Sequence, residues 1–490
     1  MSLDATLSNI DQNLSASLDR LIDLLRIPSI STDPAFAAEC DRAADWLVAD
    51  LQSIGADASK RPTPGHPMVV GHIDGPGPHL LFYGHYDVQP VDPLELWDRD
   101  PFDPQLEDTA KGQVIRGRGS SDDKGQLMTF VEACRAWKAE NGSLPCKITF
   151  FFEGEEESGS PSLVPFLKDN ADELKTDIAL ICDTGLFDSR VPAITTMLRG
   201  LLGEEITITG PDKDLHSGMY GGAAMNPIRV LSKIIAALHD DTGKITVPGF
   251  YDGVPEISDE LRAQWDGLGF DLATFLGDVD LSQLAGEQGR SALEMLWSRP
   301  TCEVNGIGGG YQGAGFKTVL PSTASAKISF RLVGTQDPHA IRKSFREMVQ
   351  SMVPEDCSVT FEEHGASSAS VMSVDNPAFE QARKALSDEW PDEAAFIGSG
   401  GSIPVAGYFQ SLLGTESMLI GFAKDDDLIH SPNEKYDVES FHKGIRSWAR
   451  ILDALSQRWG QIVPANHDNT APKPHPHQSL TTIVSDFLTP

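Results

Sequence analysis

The sequence predicts an α/β protein that carries an inserted α+β domain. Two observations support this fold class. In the first 200 residues, short apolar runs typical of strands alternate with apolar stripes typical of helices. From about residue 199 the order of predicted strands and helices changes, and the first pattern returns after about residue 370. The chain has 490 residues, 40% of them hydrophobic and 23% charged, which is the balance of a globular protein. This length predicts at least two domains.

The sequence pattern of residues 1–198 predicts a mainly parallel sheet flanked by helices. Apolar residues recur at helical spacing in two early segments, around 14–25 and 44–54. Apolar runs at 79–83, 147–152 and 178–182 predict buried strands, and a helical stripe at 127–137 separates the first two. We predict this part, together with residues 369–462, to form the catalytic domain.

Residues 199–368 predict the inserted domain. Strands are expected at 204–209, 326–333 and 358–363, and the helices between them begin at Asn226-Pro227 and Asp337-Pro338. This order is typical of a ferredoxin-like α+β sandwich. Positions 240–300 give no clear assignment. Residues 463–490 are rich in Pro and His and predict a flexible C-terminal tail.

Charge and cysteine content exclude several classes of protein. Thirty-nine Lys and Arg against 72 Asp and Glu give a net charge of −33, which argues against binding to nucleic acid or to anionic membranes. The sequence shows no signal peptide and no apolar stretch of membrane-spanning length, so we expect a cytoplasmic protein. The six cysteines form no C-x-x-C pair and are expected to stay reduced.

Histidine and acidic side chains follow the predicted strands, where functional groups gather in an α/β sheet. They are His85, Asp87, Asp122, Asp123, the acidic run 153–157, Asp183 and His430. Each group has an ordinary structural interpretation: a core or surface role for the H-x-D pair, helix capping for the two adjacent aspartates, and a solvated loop for the acidic run. The alternative is a metal site, because a carboxylate can bridge two metal ions about 3.5–4 Å apart and a neighbouring glutamate can act as a general base.

Nine sequence blocks, in order along the chain, carry a resemblance to a known family. They are GHYDVQP, GRGSSDDKG, EGEEESGS, CDTG, DLHSGMYGG, KTVLPS, ISFRLV, GGSIPV and IHSPNEK. Together they resemble the M20 family of di-metal peptidases, and specifically its dipeptidase branch related to carnosine dipeptidases. The resemblance covers roughly residues 15–460.

The resemblance implies a role for each residue of the metal site. His85, Asp122 and Asp183 would hold one divalent metal ion, and Asp122, Glu157 and His430 would hold the other, with Asp122 bridging the two. Glu156 would be the general base, and Asp87 would orient His85. Zinc is the expected metal, with Mn or Co as alternatives. The family pattern also implies a cis peptide bond between Asp122 and Asp123, and the aspartate at position 183 favours dipeptidase or aminopeptidase chemistry.

Four further residues are expected to bind the substrate. Arg331 ends a predicted strand, and its planar guanidinium suits a substrate carboxylate, although an exposed arginine at a sheet edge is the ordinary alternative. By resemblance, Thr318 and Ser402 would bind the end of the substrate, and His216 would stabilise the oxyanion, delivered from a partner subunit. The inserted domain would then act as a lid and form a homodimer. One departure from the family is Gly398-Ser399, where relatives often carry Arg-Glu.

The sequence thus predicts a di-metal hydrolase that cleaves the amide bond of dipeptides, or of short peptides with a free C-terminal carboxylate. One alternative keeps the metals and changes the acyl group, giving an N-acyl-amino-acid deacylase or a related amidohydrolase. Another is a catalytically inactive peptide-binding protein. Such proteins normally lose metal ligands or the base, and all of these are present here.

Overall fold

The computed structural model describes residues 1–401 and 403–462, in which strands and helices alternate along most of the chain. The strands, in chain order, are β1 (Asp57–Arg61), β2 (Met68–Ile73), β3 (His79–His85), β4 (Gln105–Thr109), β5 (Gly112–Arg116), β6 (Lys147–Glu153), β7 (Ile178–Ile181), β8 (Ala193–Leu198), β9 (Gly200–Thr209), β10 (Leu215–His216), β11 (Thr301–Gly309), β12 (Val319–Leu320), β13 (Thr323–Leu332), β14 (Ser358–Ser367), β15 (Ser370–Val371), β16 (Ala395–Ser399), β17 (Glu416–Leu419) and β18 (Lys435–Asp437). The predicted α/β class is therefore confirmed.

The helices include the two predicted at the start of the chain and the one predicted at its end. In chain order they are α1 (Leu3–Leu25), α2 (Ala37–Ser53), α3 (Lys124–Asn141), α4 (Leu163–Asp169), α5 (Ala171–Leu174), α6 (Ser217–Tyr220), α7 (Pro227–Ala236), α8 (Asp259–Gly267), α9 (Leu272–Gly277), α10 (Ala292–Trp297), α11 (Pro338–Met352), α12 (Pro377–Ser387), α13 (Pro404–Tyr408) and α14 (Val438–Ile462). Helices α7 and α11 begin as predicted, because Asn226 and Asp337 cap them and a proline follows each cap.

The main sheet has nine strands in the order β1-β2-β6-β3-β7-β17-β8-β15, with β16 paired to β8. Its central strands β6, β3, β7 and β17 are parallel. Towards both edges most pairs are antiparallel, because β1 and β2 form a hairpin and β8 runs against β17 and β15. The prediction of a mainly parallel sheet thus holds for the centre only. An apolar run predicts that a strand is buried, but it does not indicate the direction of that strand.

The core of this part lies between the sheet and the helices that pack on it. The rings of Phe82 on β3 and Phe130 on α3 stack with their centroids 3.8 Å apart, and Trp448 of α14 meets both of them edge-on. Helices α1 and α14 both pack against α3. The carboxyl ends of the parallel strands therefore lie at one edge of a rigid sheet, where the polar residues that follow them can meet.

A second sheet lies within the segment predicted as the inserted domain. Its four antiparallel strands have the order β11-β13-β9-β14, and helices α7 and α11 pack on it. Its apolar side chains form a hydrophobic cluster separate from that of the main sheet. Strand β11 was not predicted from the sequence, and helices α8 to α10 lie in the stretch 240–300 that gave no clear assignment. The domain boundaries at 198, 368 and 462 remain predictions.

Two small sheets complete the described structure. One pairs β10 with β12, and the other has the order β18-β5-β4. In the latter, β18 brings the segment around His430 next to the loop that follows β5. Among the described helices, none has both the length and the apolar character needed to cross a membrane. The predicted tail, 463–490, lies outside the described residues.

Candidate metal centre

His85 ends strand β3, and its imidazole is held between two aspartates. Nδ1 lies 3.1 Å from the backbone carbonyl oxygen of Asp87 and 3.4 Å from its carboxylate. Nε2 lies 3.1 Å from Oδ1 of Asp122. The side chain is fully buried. An acceptor at Nδ1 fixes the orientation of the ring and leaves Nε2 available as a metal ligand.

The carboxylate of Glu434 binds the loop that carries Asp122. This carboxylate accepts hydrogen bonds from Arg118 Nη1 at 2.9 Å and from the backbone N–H groups of Gly119, Ser121 and Asp122 at 3.0, 2.9 and 3.1 Å. Both charged side chains are buried. The Asp122–Asp123 peptide bond is cis. Sequence reasoning assigned no role to Glu434 or Arg118, although both lie in the quoted blocks IHSPNEK and GRGSSDDKG.

The two carboxylate oxygens of Asp122 lie next to two different histidines. Oδ1 is near His85, whereas Oδ2 lies 2.8 Å from Nε2 of His430, which is also 3.3 Å from Oε2 of Glu157. Two groups of ligand atoms result, each with its atoms within 4.8 Å of one another. The groups are His85, Asp122, Asp183 and Asp122, Glu157, His430. Folding thus brings together all five predicted metal ligands, and both groups share Asp122.

The pKa values of two members of these groups are strongly raised. Burial, followed by the charges of Asp122, Glu156 and Glu157, raises the pKa of Asp183 well above its usual range, although His85 opposes this shift. Hydrogen bonds with Asp122 and Glu157 raise the pKa of His430 to about 10. Closely spaced buried carboxylates repel one another unless a cation compensates their charge. Imidazole nitrogens and carboxylate oxygens are ligands that Zn, Mn and Co accept, so the donor set fits divalent metals.

Glu156 and Glu157 follow strand β6 and are positioned by Asp87. The Asp87 carboxylate accepts hydrogen bonds from the backbone N–H groups of Glu156 and Glu157, at 3.2 and 3.0 Å, and from Ser31 Oγ at 2.6 Å. Gln89 Nε2 donates to Oε2 of Glu157 at 2.6 Å. Burial, with the nearby charges of Glu157, Asp87 and Asp122 adding to it and His85 opposing it, raises the pKa of Glu156 to about 7. A carboxylate with a pKa near neutrality suits general acid–base work.

Comparison with known proteins identifies the family. The model of Peptidase family M20/M25/M40 matches residues 81–454, which include all five ligand candidates and Glu156. The chain belongs to this family. The predicted resemblance to M20 peptidases is therefore confirmed, and so is the prediction of a peptidase of this family.

The relatives of this M20 chain are similar over almost their whole length. The Cys-Gly metallodipeptidase dug1 of Schizosaccharomyces pombe is 30% identical over 473 residues, which are 93% of this chain and 99% of the relative. The crystal structure of human carnosine dipeptidase 1 is similar with a TM-score of 0.75 and 27% identity, covering 93% of this chain and 99% of that one. An M20 family metallo-carboxypeptidase, Sso-CP2 of Sulfolobus solfataricus, has a TM-score of 0.76 and 30% identity, with 90% and 99% covered.

Three of the predicted substrate-binding residues of this M20 chain lie on other elements than the ligand groups. His216 lies on β10 and Thr318 directly precedes β12, both are exposed, and the backbone N–H of Ser217 donates to the carbonyl oxygen of Thr318 at 3.1 Å. Arg331 lies on β13, opposite Leu201. Among the described residues, no hydrogen bond or ion pair joins His216, Thr318 or Arg331 to the metal ligands. Ser402 lies outside the described residues.

Arg199 is a further candidate that sequence reasoning missed. It lies between β8 and β9, and its Nε donates to the carbonyl oxygen of Gly400 at 3.1 Å. Burial, and next the charge of Arg331, lower the pKa of Arg199 to about 10, although the charge of Glu303 opposes this shift. Arg199 lies in no sequence motif that could have identified it.

Proposed function

We propose that the chain is a di-metal hydrolase that cleaves the amide bond of dipeptides, or of similarly short peptides with a free C-terminal carboxylate. The observation that carries this proposal is the pair of ligand groups that share Asp122, with Glu156 beside them. The names of two relatives, a Cys-Gly metallodipeptidase and a carnosine dipeptidase, support the choice of a dipeptide as substrate.

In this proposal His85, Asp122 and Asp183 hold one divalent metal ion, and Asp122, Glu157 and His430 hold the second. Zinc is the proposed metal, with Mn or Co as alternatives. Bound divalent metals supply Lewis-acid chemistry, which makes a water molecule more acidic and polarises a carbonyl group. Asp87 is a positioning residue: it fixes the His85 ring and accepts hydrogen bonds from the backbone N–H groups of Glu156 and Glu157.

Glu156 acts as the general base. It belongs to neither ligand group, and its pKa of about 7 allows it to accept a proton near neutral pH and to give it up again. It takes a proton from the attacking water molecule and then gives this proton to the nitrogen of the leaving amine. The bond broken is the amide C–N bond, and the products are a carboxylic acid and an amine.

Separate groups bind the C-terminal end of the substrate and the oxyanion. Arg331 and Arg199 receive the C-terminal carboxylate, because a planar guanidinium group binds a carboxylate through two hydrogen bonds and neither arginine forms an ion pair within 4 Å among the described residues. Thr318 and Ser402 contribute hydroxyl and backbone groups. His216 stabilises the oxyanion and comes from the inserted domain of a partner subunit in a homodimer, which agrees with its exposure on β10.

Replacing Glu156 tests the catalytic part of this proposal. Glu156→Ala and Glu156→Gln are expected to lower kcat by about 100- to 10,000-fold, because general-base catalysis is lost, while the metal content stays that of the wild type. Dipeptide hydrolysis and metal analysis measure the two effects. Unchanged turnover would refute the role of Glu156.

A substrate panel tests the rest of the proposal. Sso-CP2, which is called a metallo-carboxypeptidase, favours a second candidate function, the removal of C-terminal residues from longer peptides. Dipeptides, pentapeptides and N-acetylated amino acids should therefore be compared at equal concentration. The proposal expects the highest kcat/KM for dipeptides. A preference for pentapeptides would favour the carboxypeptidase, and a preference for N-acetylated amino acids would favour the deacylase.

A further inference from the structure

A cavity of about 640 Å³ adjoins the metal centre at Asp183. Most of its lining comes from three parts of the chain: the loop 183–188 after β7, the end of β16 with the residues that follow it, and the segment 269–297 that contains α9 and α10. Thr195 and Asp425 complete the lining. The segment 269–297 belongs to the stretch that the sequence analysis left unassigned. A volume of this size is enough for an amino-acid side chain with its backbone.

The unassigned segment is fixed to the main sheet by hydrogen bonds. Trp265 Nε1 on α8 donates to the carbonyl oxygen of Phe396 at 2.9 Å, and the backbone N–H of Phe396 donates to Oε1 of Gln264 at 3.0 Å. The rings of Trp265 and Trp297 meet edge-on with centroids 5.0 Å apart. The segment therefore forms a defined wall of the cavity.

This wall is aromatic. The rings of Phe270 and Phe275 lie with centroids 5.2 Å apart, and Phe187 meets Trp297 at 6.2 Å. All four rings line the cavity. Phe275 remains 43% exposed, which leaves apolar surface for a ligand to cover. Burial of an aromatic side chain against such surface is favourable, because it removes apolar area from water.

Gly398 makes room for the wall at the end of β16. A Cβ atom on Gly398 would lie 2.4 Å from Cβ of Trp297, so a larger residue at position 398 would displace the tryptophan. The neighbouring Ser399 lines the cavity with a small side chain. The position of Trp297 in the aromatic wall thus depends on a glycine at position 398.

The charged residues of the cavity are acidic. Asp188, Asp278 and Asp425 line it, and none of its described lining residues is Lys or Arg. In contrast, Gly400 at its edge contacts Arg199, whose pair with Arg331 is the proposed site for the substrate carboxylate. An acidic cavity complements the free ammonium group of a dipeptide, while the arginine pair complements its carboxylate.

We propose that this cavity binds the N-terminal residue of the dipeptide and that it selects a large apolar or aromatic side chain. This inference rests on the proposed function. The side chain packs against Phe270, Phe275 and Trp297, and the ammonium group lies towards the aspartates. Substrates whose first residue is Glu or Asp are rejected, because their carboxylate would be buried among like charges.

Equilibrium binding to the metal-loaded Glu156→Gln variant tests this proposal without turnover. Isothermal titration with Phe-Gly, Gly-Gly, Glu-Gly and Gly-Phe is expected to give the tightest binding for Phe-Gly and the weakest for Glu-Gly. Adding Phe275→Ala should weaken Phe-Gly binding about tenfold and leave Gly-Gly and Gly-Phe unchanged. Leu281→Ala is the matched control, because Leu281 is 60% exposed in the same segment and does not line the cavity. Asp425→Asn should strengthen Glu-Gly binding.

Several results would overturn the inference. These are equal loss of Phe-Gly and Gly-Gly binding in the Phe275→Ala protein, a loss confined to Gly-Phe, Glu-Gly binding as tight as Phe-Gly, or no dipeptide binding at all. Because Phe275 is partly exposed, its truncation should not unfold the protein, and circular dichroism checks this. Selective Phe-Gly binding by a protein whose wild type hydrolyses no dipeptide would uphold the cavity and refute the proposed function.

Discussion

The acidic run 153–157 shows how neighbouring residues of one type take different roles. Glu155 accepts hydrogen bonds from the backbone N–H groups of His66 and Ser162 at 2.8 and 2.9 Å, which ties two loops together. Glu153 accepts a hydrogen bond from the hydroxyl of Tyr83 at 2.7 Å inside the core. Glu156 and Glu157 have their backbone held by Asp87, which leaves their carboxylates to the proposed metal chemistry. The role of each glutamate is thus decided by its hydrogen-bond partners.

The buried Glu153 predicts a dependence of stability on pH. Burial raises its pKa from 4.5 to about 8, so between these values the folded protein holds a proton that the unfolded chain releases. The stability contributed by this group is therefore complete below pH 4.5 and is lost as the pH rises towards 8, by up to about 1.4 kcal/mol per pH unit. Glu153→Gln should raise the urea midpoint of unfolding at pH 8 and change it little near pH 5.

The control for this prediction is Glu355→Gln, at an exposed position in the loop before β14. It should leave the urea midpoint unchanged at both pH values. A Glu153→Gln protein that is no more stable than the wild type at pH 8 would contradict the assignment of a proton to the folded state.

At the scale of elements, a short β pair brings together two parts of the candidate metal centre. Strand β18 pairs with β5, with Lys435 opposite Arg116, and this places the segment 430–434 beside the loop 117–122. Glu434 then accepts four hydrogen bonds from that loop, while His430 approaches Asp122 from the same segment. These contacts thus hold together residues that lie more than 300 positions apart in the sequence.

Removing Glu434 should weaken both the fold and metal binding. Glu434→Ala leaves the buried Arg118 without its ion pair and frees the backbone that carries Asp122, which should cost about 3–5 kcal/mol of stability and about 10- to 100-fold in metal affinity. Thermal denaturation and metal titration measure the two effects.

Glu204→Ala is the matched control for Glu434→Ala. Glu204 is also fully buried and pairs with two arginines, Arg342 and Arg346, but it lies on β9 in the second sheet. Its loss should lower stability without changing metal affinity. If both variants lowered metal affinity equally, the specific role of Glu434 would be wrong.

At the scale of the whole molecule, the main sheet brings three of the proposed ligands together: His85 ends the parallel strand β3, and Glu157 and Asp183 follow the parallel strands β6 and β7. The acidic members of the ligand groups are part of a chain whose net charge is −33, so folding concentrates negative charge at this place. Bound cations should therefore stabilise the folded protein as a whole, because they bind the assembled ligands and not the unfolded chain.

Metal removal tests this expectation. Zn, Mn or Co should raise the Tm, by a stabilisation of about 2.7 kcal/mol at a metal concentration of 100 times Kd, and a chelator should reverse the shift. Asp122→Asn should abolish most of the shift, because both ligand groups share this carboxylate. His364→Ala should retain it, since His364 lies in an exposed acidic group on the second sheet. A Tm that no metal changes would contradict the proposed centre.

Much of the fold could be predicted from local patterns. The spacing of leucines predicted α1, the Asn-Pro and Asp-Pro pairs predicted the starts of α7 and α11, and apolar runs predicted β3, β6 and β7. The segment 240–300 could not be predicted in this way, because α8, α9 and α10 are short and their buried residues are few. Helices α8 and α10 both contact β16, for example through the hydrogen bond from Trp265 to Phe396.

The sequence by itself determined which side chains are available for chemistry and which family pattern they follow, because those properties belong to residue types in a fixed order. Only the tertiary structure decided which of them meet: that Asp122 lies between His85 and His430, that Glu434 supports it, and that an aromatic wall stands beside Asp183. The physical reason is that these contacts join parts of the chain far apart in sequence. Their geometry depends on sheet order and packing, and local periodicity carries no record of either.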